Sequence, residues 1–335
     1  MPLALVTDFI HEPLEIEREV LSGVAEVHAV SAMSTQELLD SLDNPVLAKA
    51  EALLVYHFVS ITEAVMEKLP QLKIVVRCGA GYDNVDRVAA TRRGVLVTNV
   101  PDYGTEDVAD STMAMILSLM RGTHRMSQIC QRGTDNWKYE LVVPLNRVRG
   151  QTIGIIGLGR IGTATALRAK AHGLNVVYYD PYCADGTDKA IGVHRAESLS
   201  ELLAQSNVVS CHCVLNDETH HIIDSEAIAQ MPRGSFVVNT SRGGVVDVSA
   251  VLAAIESGQL AGAGIDVLET EPPAENDLLM KLWRDPEHPV SERLILTPHA
   301  AFYSEQGLED MRRKGSQNVR RMLTDQQVRN IVNDL

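Results

Sequence analysis

Three polar residues stand just past predicted strands: Arg242 after SFVVNT, Glu271 after GAGIDVLET and His299 after RLILTP. In an open α/β sheet, ligands bind at the carboxyl ends of the strands. The three residue types suit one chemistry, the reduction of a 2-oxo acid. A guanidinium can bind the carboxylate and polarise the carbonyl. An imidazole can give the carbonyl oxygen a proton as hydride arrives at carbon; in the reverse direction its neutral form serves as base. A carboxylate beside the imidazole holds its tautomer and favours the imidazolium. Singly, the three read equally well as a surface arginine, a solvated glutamate in a proline loop and a cap. Their joint occurrence after successive strands carries the assignment.

That chemistry needs a hydride carrier, and residues 152–180 supply its site. TIGIIGLGRIGTATALRAKAHGLNVVYYD reads as strand, glycine turn, helix and second strand, closed by an acidic residue. Gly157, Gly159 and Gly162 form G-x-G-x-x-G, and Asp180 follows Gly162 by eighteen positions. The first glycine permits the tight turn, the second lets a pyrophosphate approach the backbone, and the third lets the helix pack close on the strand. The helix N-terminus then offers unpaired N–H groups and a positive dipole end to the phosphates. Asp180 can accept from both adenosine ribose hydroxyls and would repel a 2′-phosphate, so the expected cofactor is NAD and not NADP.

The elements that must position these residues alternate along the whole chain. At 335 residues and 45% hydrophobic content, two domains with full cores are expected. The first hundred residues alternate strand and helix, with helices expected over 13–22, 35–41 and 62–69 and no glycine fingerprint. One long helix is expected across PDYGTEDVADSTMAMILSLMRGTHRM, with Met113, Ile116, Leu117 and Met120 on apolar spacing. Residues 133–150 and the proline- and acid-rich 269–292 read as loops, and the tail from Phe302 reads as an amphipathic helix. The net charge of −14 argues against direct nucleic-acid binding and against adhesion to anionic membranes. The N-terminus shows no signal-peptide pattern and no apolar run is long enough to span a bilayer. Five cysteines, sparse and odd in number, show no disulfide framework and suit a reducing, cytoplasmic compartment.

Over essentially its whole length the chain resembles the D-isomer-specific 2-hydroxyacid dehydrogenase family. The resemblance is carried by RCGAGYDNVD, GIIGLGRIG, NTSRGGVVD, AGIDVLETEPP and TPHAAFYSEQ. It implies two Rossmann-like, doubly wound parallel-sheet domains. The NAD-binding domain (100–301) is inserted into a discontinuous substrate domain (1–99 and 302–335), with the active site in the cleft between them. It assigns Arg242 to substrate binding and carbonyl polarisation, Glu271 to support of the histidine, and His299 to acid–base catalysis. Arg77 and the turn Cys78, Gly79, Ala80, Gly81 resemble the loop that holds the substrate carboxylate, with Ala80 also touching the nicotinamide end. Arg160 and Ile161 would lie against the pyrophosphate. Cys213, Val214 and Thr219 would border the adenosine. Thr240, Ser241 and Asp266 would flank the nicotinamide, with Asp266 accepting from its carboxamide. The long helix would belong to a homodimer interface between cofactor domains, supported by Tyr103, Trp137 and Tyr139.

Within the family, YHFVSIT, RAKAHGLNVVYYDPY, LNDETHHII and HAAFYSEQ most resemble the C-terminal-binding protein branch, NAD-binding transcriptional corepressors. The chain stops soon after its last helix, without that branch's long tail. Phe302 stands where that branch lines its substrate pocket with tryptophan. Both departures weigh against a corepressor and favour an enzyme of the same branch, and the smaller ring of Phe302 leaves more room in the substrate pocket. The first reading is then a reductase of a small 2-oxo acid of the glyoxylate, hydroxypyruvate or pyruvate type. The alternative is an NAD(H)-sensing binding protein. An enzyme committed to oxidising 3-phosphoglycerate would usually carry a regulatory domain and a basic phosphate-binding cluster, neither of which is read here.

Other residues have plainer expectations. Cys211, His212 and Cys213 would alternate faces of a buried strand, so no metal is expected there. His220 and His221 would be solvated in a surface turn. Asp83 would cap the helix that follows it. His57, at a strand end, is a candidate substrate contact.

Overall fold

The computed structural model describes residues 1–334, which fall into two compact units. The first comprises Met1–Gly104 together with the chain from Ser304 onward, and the second is Thr105–Tyr303.

The first unit is built on a five-stranded parallel sheet. Its strands are β1 (Leu3–Val6), β2 (Glu26–Ala29), β3 (Ala52–Val55), β4 (Ile74–Arg77) and β5 (Leu96–Asn99), in the order β2-β1-β3-β4-β5. LALV, ALLV and IVVR are buried at every position. Such unbroken runs are what a parallel sheet covered on both faces requires. One cover is the C-terminal helix Glu305–Leu323, capped by Ser304, whose hydroxyl accepts from the Gly307 N–H. A Cβ on Gly315 would lie 2.7 Å from the Cys78 Sγ, so the glycine lets this helix lie close to β4. Arg312 of the same helix makes two 2.7 Å bonds to fully buried Glu17, joining it to the helix Glu15–Val20. The helix Arg87–Arg92 is capped by Asp86, which accepts from the Ala89 N–H. Asp83 does not take that role, because the chain first passes through a turn over 82–85.

The second unit carries a seven-stranded parallel sheet. Its strands are β6 (Thr152–Ile156), β7 (Asn175–Tyr179), β8 (His194–Arg195), β9 (Val208–Cys211), β10 (Ser235–Asn239), β11 (Leu260–Ile265) and β12 (Leu294–Leu296). The order is β12-β11-β10-β9-β6-β7-β8, so its direction reverses between β6 and β9. The crevice at such a switch point is where a doubly wound sheet binds its ligand.

The helix expected as one piece after residue 104 is two, Thr105–Arg121 and Thr123–Gln131. Gly122 breaks it at φ +63°, a conformation that suits a residue without Cβ. Met113, Ile116 and Met120 are buried and Leu117 only partly so. The segment expected as a loop over 269–292 contains the helix Leu278–Arg284 and the start of Pro289–Arg293. Its acid and proline are helix-start signals: Asp277 accepts from the Leu279 N–H, and Pro289 occupies the first turn of the second helix. Residues 133–150 are irregular apart from short 3-10 turns at Thr134–Asn136 and Tyr139–Val142. Among the described residues, no helix is long and apolar enough to cross a membrane.

Candidate active site

The glycine turn between β6 and the helix Arg160–Ala171 sits at the switch point. Gly157 has φ +89°, and a Cβ there would lie 2.7 Å from the Cys213 backbone nitrogen, which passes behind it after β9. A Cβ on Gly162 would meet the Gly157 carbonyl oxygen at 2.1 Å. Gly159 differs: a Cβ there would meet nothing within 4 Å, and the residue is exposed. The turn is therefore closed on two sides and open on the third. The helix it begins has no side-chain cap, so its first N–H groups are available to an anion. This cradle fits a dinucleotide pyrophosphate, with Arg160 exposed and Ile161 half-buried at its edge.

Asp180 stands at the end of β7. Its Oδ2 accepts from the Leu158 N–H at 2.8 Å and its Oδ1 from the Tyr182 N–H at 2.9 Å. The carboxylate thus also fastens the glycine turn, and each oxygen keeps a further lone pair for a ribose hydroxyl. On the other side of the switch point, Thr219 closes the 213–219 turn on itself. Its hydroxyl donates to the Val214 carbonyl at 2.6 Å and accepts from the Asn216 N–H at 2.9 Å. Val214 is left exposed.

The Cys-His-Cys sequence is not a strand throughout. β9 ends at Cys211, and the His212 ring turns to the Ser210 hydroxyl, 2.9 Å from Nε2. Burial lowers the His212 imidazole to about 4 and pushes the Cys213 thiol up to about 11.

β10 delivers Thr240, Ser241 and Arg242. Asn239 sets their turn: its Oδ1 accepts from the Ser241 N–H and hydroxyl, and its Nδ2 donates to the Arg242 carbonyl at 2.8 Å. The Thr240 hydroxyl meets that of Thr112 at 2.8 Å. A Cβ on Gly243 would lie 1.9 Å from the Leu268 carbonyl carbon. Only glycine lets the Arg242 turn lie against the loop after β11, the loop that carries Glu271.

Asp266, at the end of β11, is buried. Its Oδ1 accepts from the Thr297 hydroxyl at 2.5 Å and the Ala300 N–H at 2.9 Å, and its Oδ2 from the Ala301 N–H at 3.0 Å. Its carbonyl accepts from the His299 N–H at 2.7 Å. Asp266 therefore organises the turn in which His299 adopts φ +51°. That arrangement brings the His299 Nδ1 to 2.6 Å from the Glu271 Oε2. The other carboxylate oxygen accepts from the Leu268 N–H at 2.7 Å. Burial by itself would raise the Glu271 carboxyl. The His299 hydrogen bond and charge, the Leu268 N–H and the Arg242 charge outweigh it and hold the group below its ordinary value. The Phe302 ring stands edge-on to His299 with centroids 6.2 Å apart.

In the first unit, Arg77 ends β4 buried and its Nη1 donates to the Cys78 carbonyl at 3.1 Å. Gly79, at φ +153°, is the space it folds into, since a Cβ there would fall 1.5 Å from that Nη1. The turn is pinned from β5: Asn99 Nδ2 donates to the Ala80 carbonyl at 2.7 Å, and the Val100 N–H to that of Gly79 at 3.1 Å. Ala80 and Gly81 are half-buried.

Sequence reasoning missed Asp8. It accepts from the Tyr56 N–H at 2.9 Å and the Phe58 N–H at 2.6 Å, fixing the backbone on both sides of His57, against whose ring Phe9 packs. An acid closing the apolar run LALVTD was the available signal. His220 and His221 lie in a surface turn as expected, and both rings in addition converge on Glu269.

Residues 113–301 match the family model described as D-isomer specific 2-hydroxyacid dehydrogenase, NAD binding domain. The chain belongs to the D-isomer-specific 2-hydroxyacid dehydrogenase family. The matched domain lies within the second unit and binds NAD. C-terminal-binding protein 1 of Caenorhabditis elegans is 37% identical over 316 residues, 92% of this chain and 41% of that protein. D-3-phosphoglycerate dehydrogenase of Methanocaldococcus jannaschii is 32% identical over 330 residues, 98% of this chain and 59% of that protein. The chain thus spans about two fifths and three fifths of these curated relatives. The solved structure of D-lactate dehydrogenase from Aquifex aeolicus, complexed with NAD and lactic acid, is 30% identical. It superposes with a TM-score of 0.83 over 96% of each chain.

Proposed function

We propose that the chain is an NAD-dependent D-2-hydroxyacid dehydrogenase that reduces a small 2-oxo acid of the glyoxylate, hydroxypyruvate or pyruvate type. The observation that carries this reading is the His299–Glu271 pair at 2.6 Å, set beside the Arg242 turn in an NAD-binding domain. Gly157, Gly159, Gly162, Arg160 and Ile161 hold the pyrophosphate, Asp180 the adenosine ribose, and Cys213, Val214 and Thr219 border the adenosine. Thr240, Ser241 and Asp266 flank the nicotinamide, which when bound as NADH supplies the hydride. Arg242 polarises the carbonyl. His299, its Nδ1 held by Glu271, delivers a proton from Nε2 to the carbonyl oxygen as it becomes a hydroxyl. Arg77 and the Cys78–Gly81 turn take the substrate carboxylate, Ala80 also meets the nicotinamide, and His57 and Phe302 limit the substrate side chain. The domain assignment follows the same reading: residues 100–301 bind the cofactor and 1–99 with 302–335 the substrate. A homodimer through the cofactor domains fits Trp137 and Tyr139, 81% and 71% exposed on the second unit.

The 37% identity to C-terminal-binding protein 1 favours a second reading, an NAD(H)-sensing binding protein with little turnover. Absorbance assays with NADH and a panel of 2-oxo acids separate the two. Turnover that is abolished in His299→Ala while NADH still binds supports the dehydrogenase. NADH binding without turnover on any of the acids overturns it in favour of the sensor.

A further inference from the structure

Outside the reaction centre, one cluster has the composition of a metal site. His220 and His221 lie in the turn after β9 and Glu269 in the loop after β11. Neighbouring side chains on an extended backbone point apart, but His221 has φ +49°, and the two rings stack with centroids 4.0 Å apart. Both Nε2 atoms then approach one oxygen, the Glu269 Oε1, at 2.5 Å from His221 and 3.7 Å from His220. The three ligand atoms all lie within 4.8 Å of one another. Among the described residues, no other group of three or more His, Cys, Asp or Glu side chains converges in this way.

We infer that His220, His221 and Glu269 form a binding site for a divalent zinc-class cation. The two imidazoles are borderline nitrogen donors and outnumber the single hard carboxylate, a set matched to Zn²⁺, Co²⁺ or Ni²⁺ and not to the oxygen-seeking Mg²⁺ or Ca²⁺. Ligand atoms about a tetrahedral zinc stand roughly 3.3 Å apart, given bonds of about 2.0–2.1 Å. The observed 2.5 and 3.7 Å straddle that value and the third separation lies within 4.8 Å, so a carboxylate shift together with rotation of the stacked rings would bring all three onto one ion. The side chains keep 57%, 35% and 52% of their exposure, which leaves water to complete the shell.

The position gives the ion a structural consequence. The His221 N–H donates to the Gly244 carbonyl at 2.7 Å, two residues beyond Arg242. Glu269 is two residues before Glu271, and its backbone abuts Gly243. A bound cation therefore ties the 220–221 turn to the loop carrying Glu271, with the Arg242 turn between them. This site is independent of the hydride chemistry proposed above.

The test uses the untagged 335-residue chain titrated with Zn²⁺ alone, followed by calorimetry and by the thermal midpoint. The wild type should take up Zn²⁺ and its midpoint should rise. His220→Ala and Glu269→Gln, both at exposed positions, should each weaken that uptake at least tenfold and abolish the rise. His28→Ala, an exposed histidine of the first unit, should leave both unchanged. No uptake by the wild type, or equal uptake by His220→Ala and Glu269→Gln, overturns the site.

Discussion

Replacing Glu271 by glutamine removes one charge and almost no volume, and tests the pair at the centre of the site. The wild-type carboxylate accepts twice, from the Leu268 N–H at 2.7 Å and from the His299 Nδ1 at 2.6 Å. An amide has one oxygen for those two donors. If that oxygen keeps the Leu268 bond, the NH₂ faces Nδ1 and selects the tautomer protonated on Nε2. If it turns to His299, the NH₂ opposes the Leu268 N–H. Either way one charge-assisted hydrogen bond is lost, worth about 1.5–3 kcal/mol. At about 1.4 kcal/mol per decade, kcat for 2-oxo acid reduction should fall roughly 10- to 150-fold. Glu271 touches the histidine and not the cofactor cradle, so NADH affinity by fluorescence titration should stay unchanged. Steady-state NADH oxidation gives kcat and KM together. An unchanged kcat, or a loss matched by an equal loss of NADH affinity, would refute the role of Glu271 in holding His299.

Further outcomes follow from the same contacts. Gly162→Ala places a Cβ 2.1 Å from a backbone oxygen of the phosphate turn. Overpacking of about 1–3 kcal/mol there should weaken NADH binding roughly 5- to 150-fold, and unaltered binding would show that the turn yields. Asp180→Ala should erode the NADH-over-NADPH ratio of kcat/KM and, by stripping the Leu158 N–H of its acceptor, weaken both cofactors; an intact ratio would assign cofactor choice elsewhere. His212 is lowered by burial to about 4 from an ordinary 6.5. The unfolded chain then binds this proton first as pH falls, so the stability that His212 contributes is full above about 6.5 and lost between there and about 4. The loss is up to about 3 kcal/mol. Urea unfolding across that window should show a shallower acid slope in His212→Gln, and an identical slope would remove His212 as its cause.

Much of the fold was legible because it rests on local pattern. Strands buried on both faces read as LALV, ALLV and IVV, and the glycine fingerprint lies within one strand–turn–helix unit. The errors came where local chemistry has two readings. Proline and acid over 269–292 suggested a loop but include helix-start signals at Asp277 and Pro289. Asp83 and Asp86 are equally good caps on paper, and only the turn between them selects Asp86. Gly122 inside an apolar repeat hid a break, because the periodicity on either side of it is sound.

The sequence by itself determined the family, the dinucleotide turn and the residue types that follow β10, β11 and β12. Each of these depends on backbone constraints or side-chain chemistry confined to a few neighbouring positions. Tertiary structure alone decided who meets whom. His299 finds Glu271 across 28 positions because Asp266 holds the histidine's turn and Gly243 admits the loop. Asp180 turns back to Leu158, and two histidines expected in solvent close on Glu269. Parallel strands bring the loops at their carboxyl ends together in sheet order, not chain order, so no periodicity along the chain encodes these meetings.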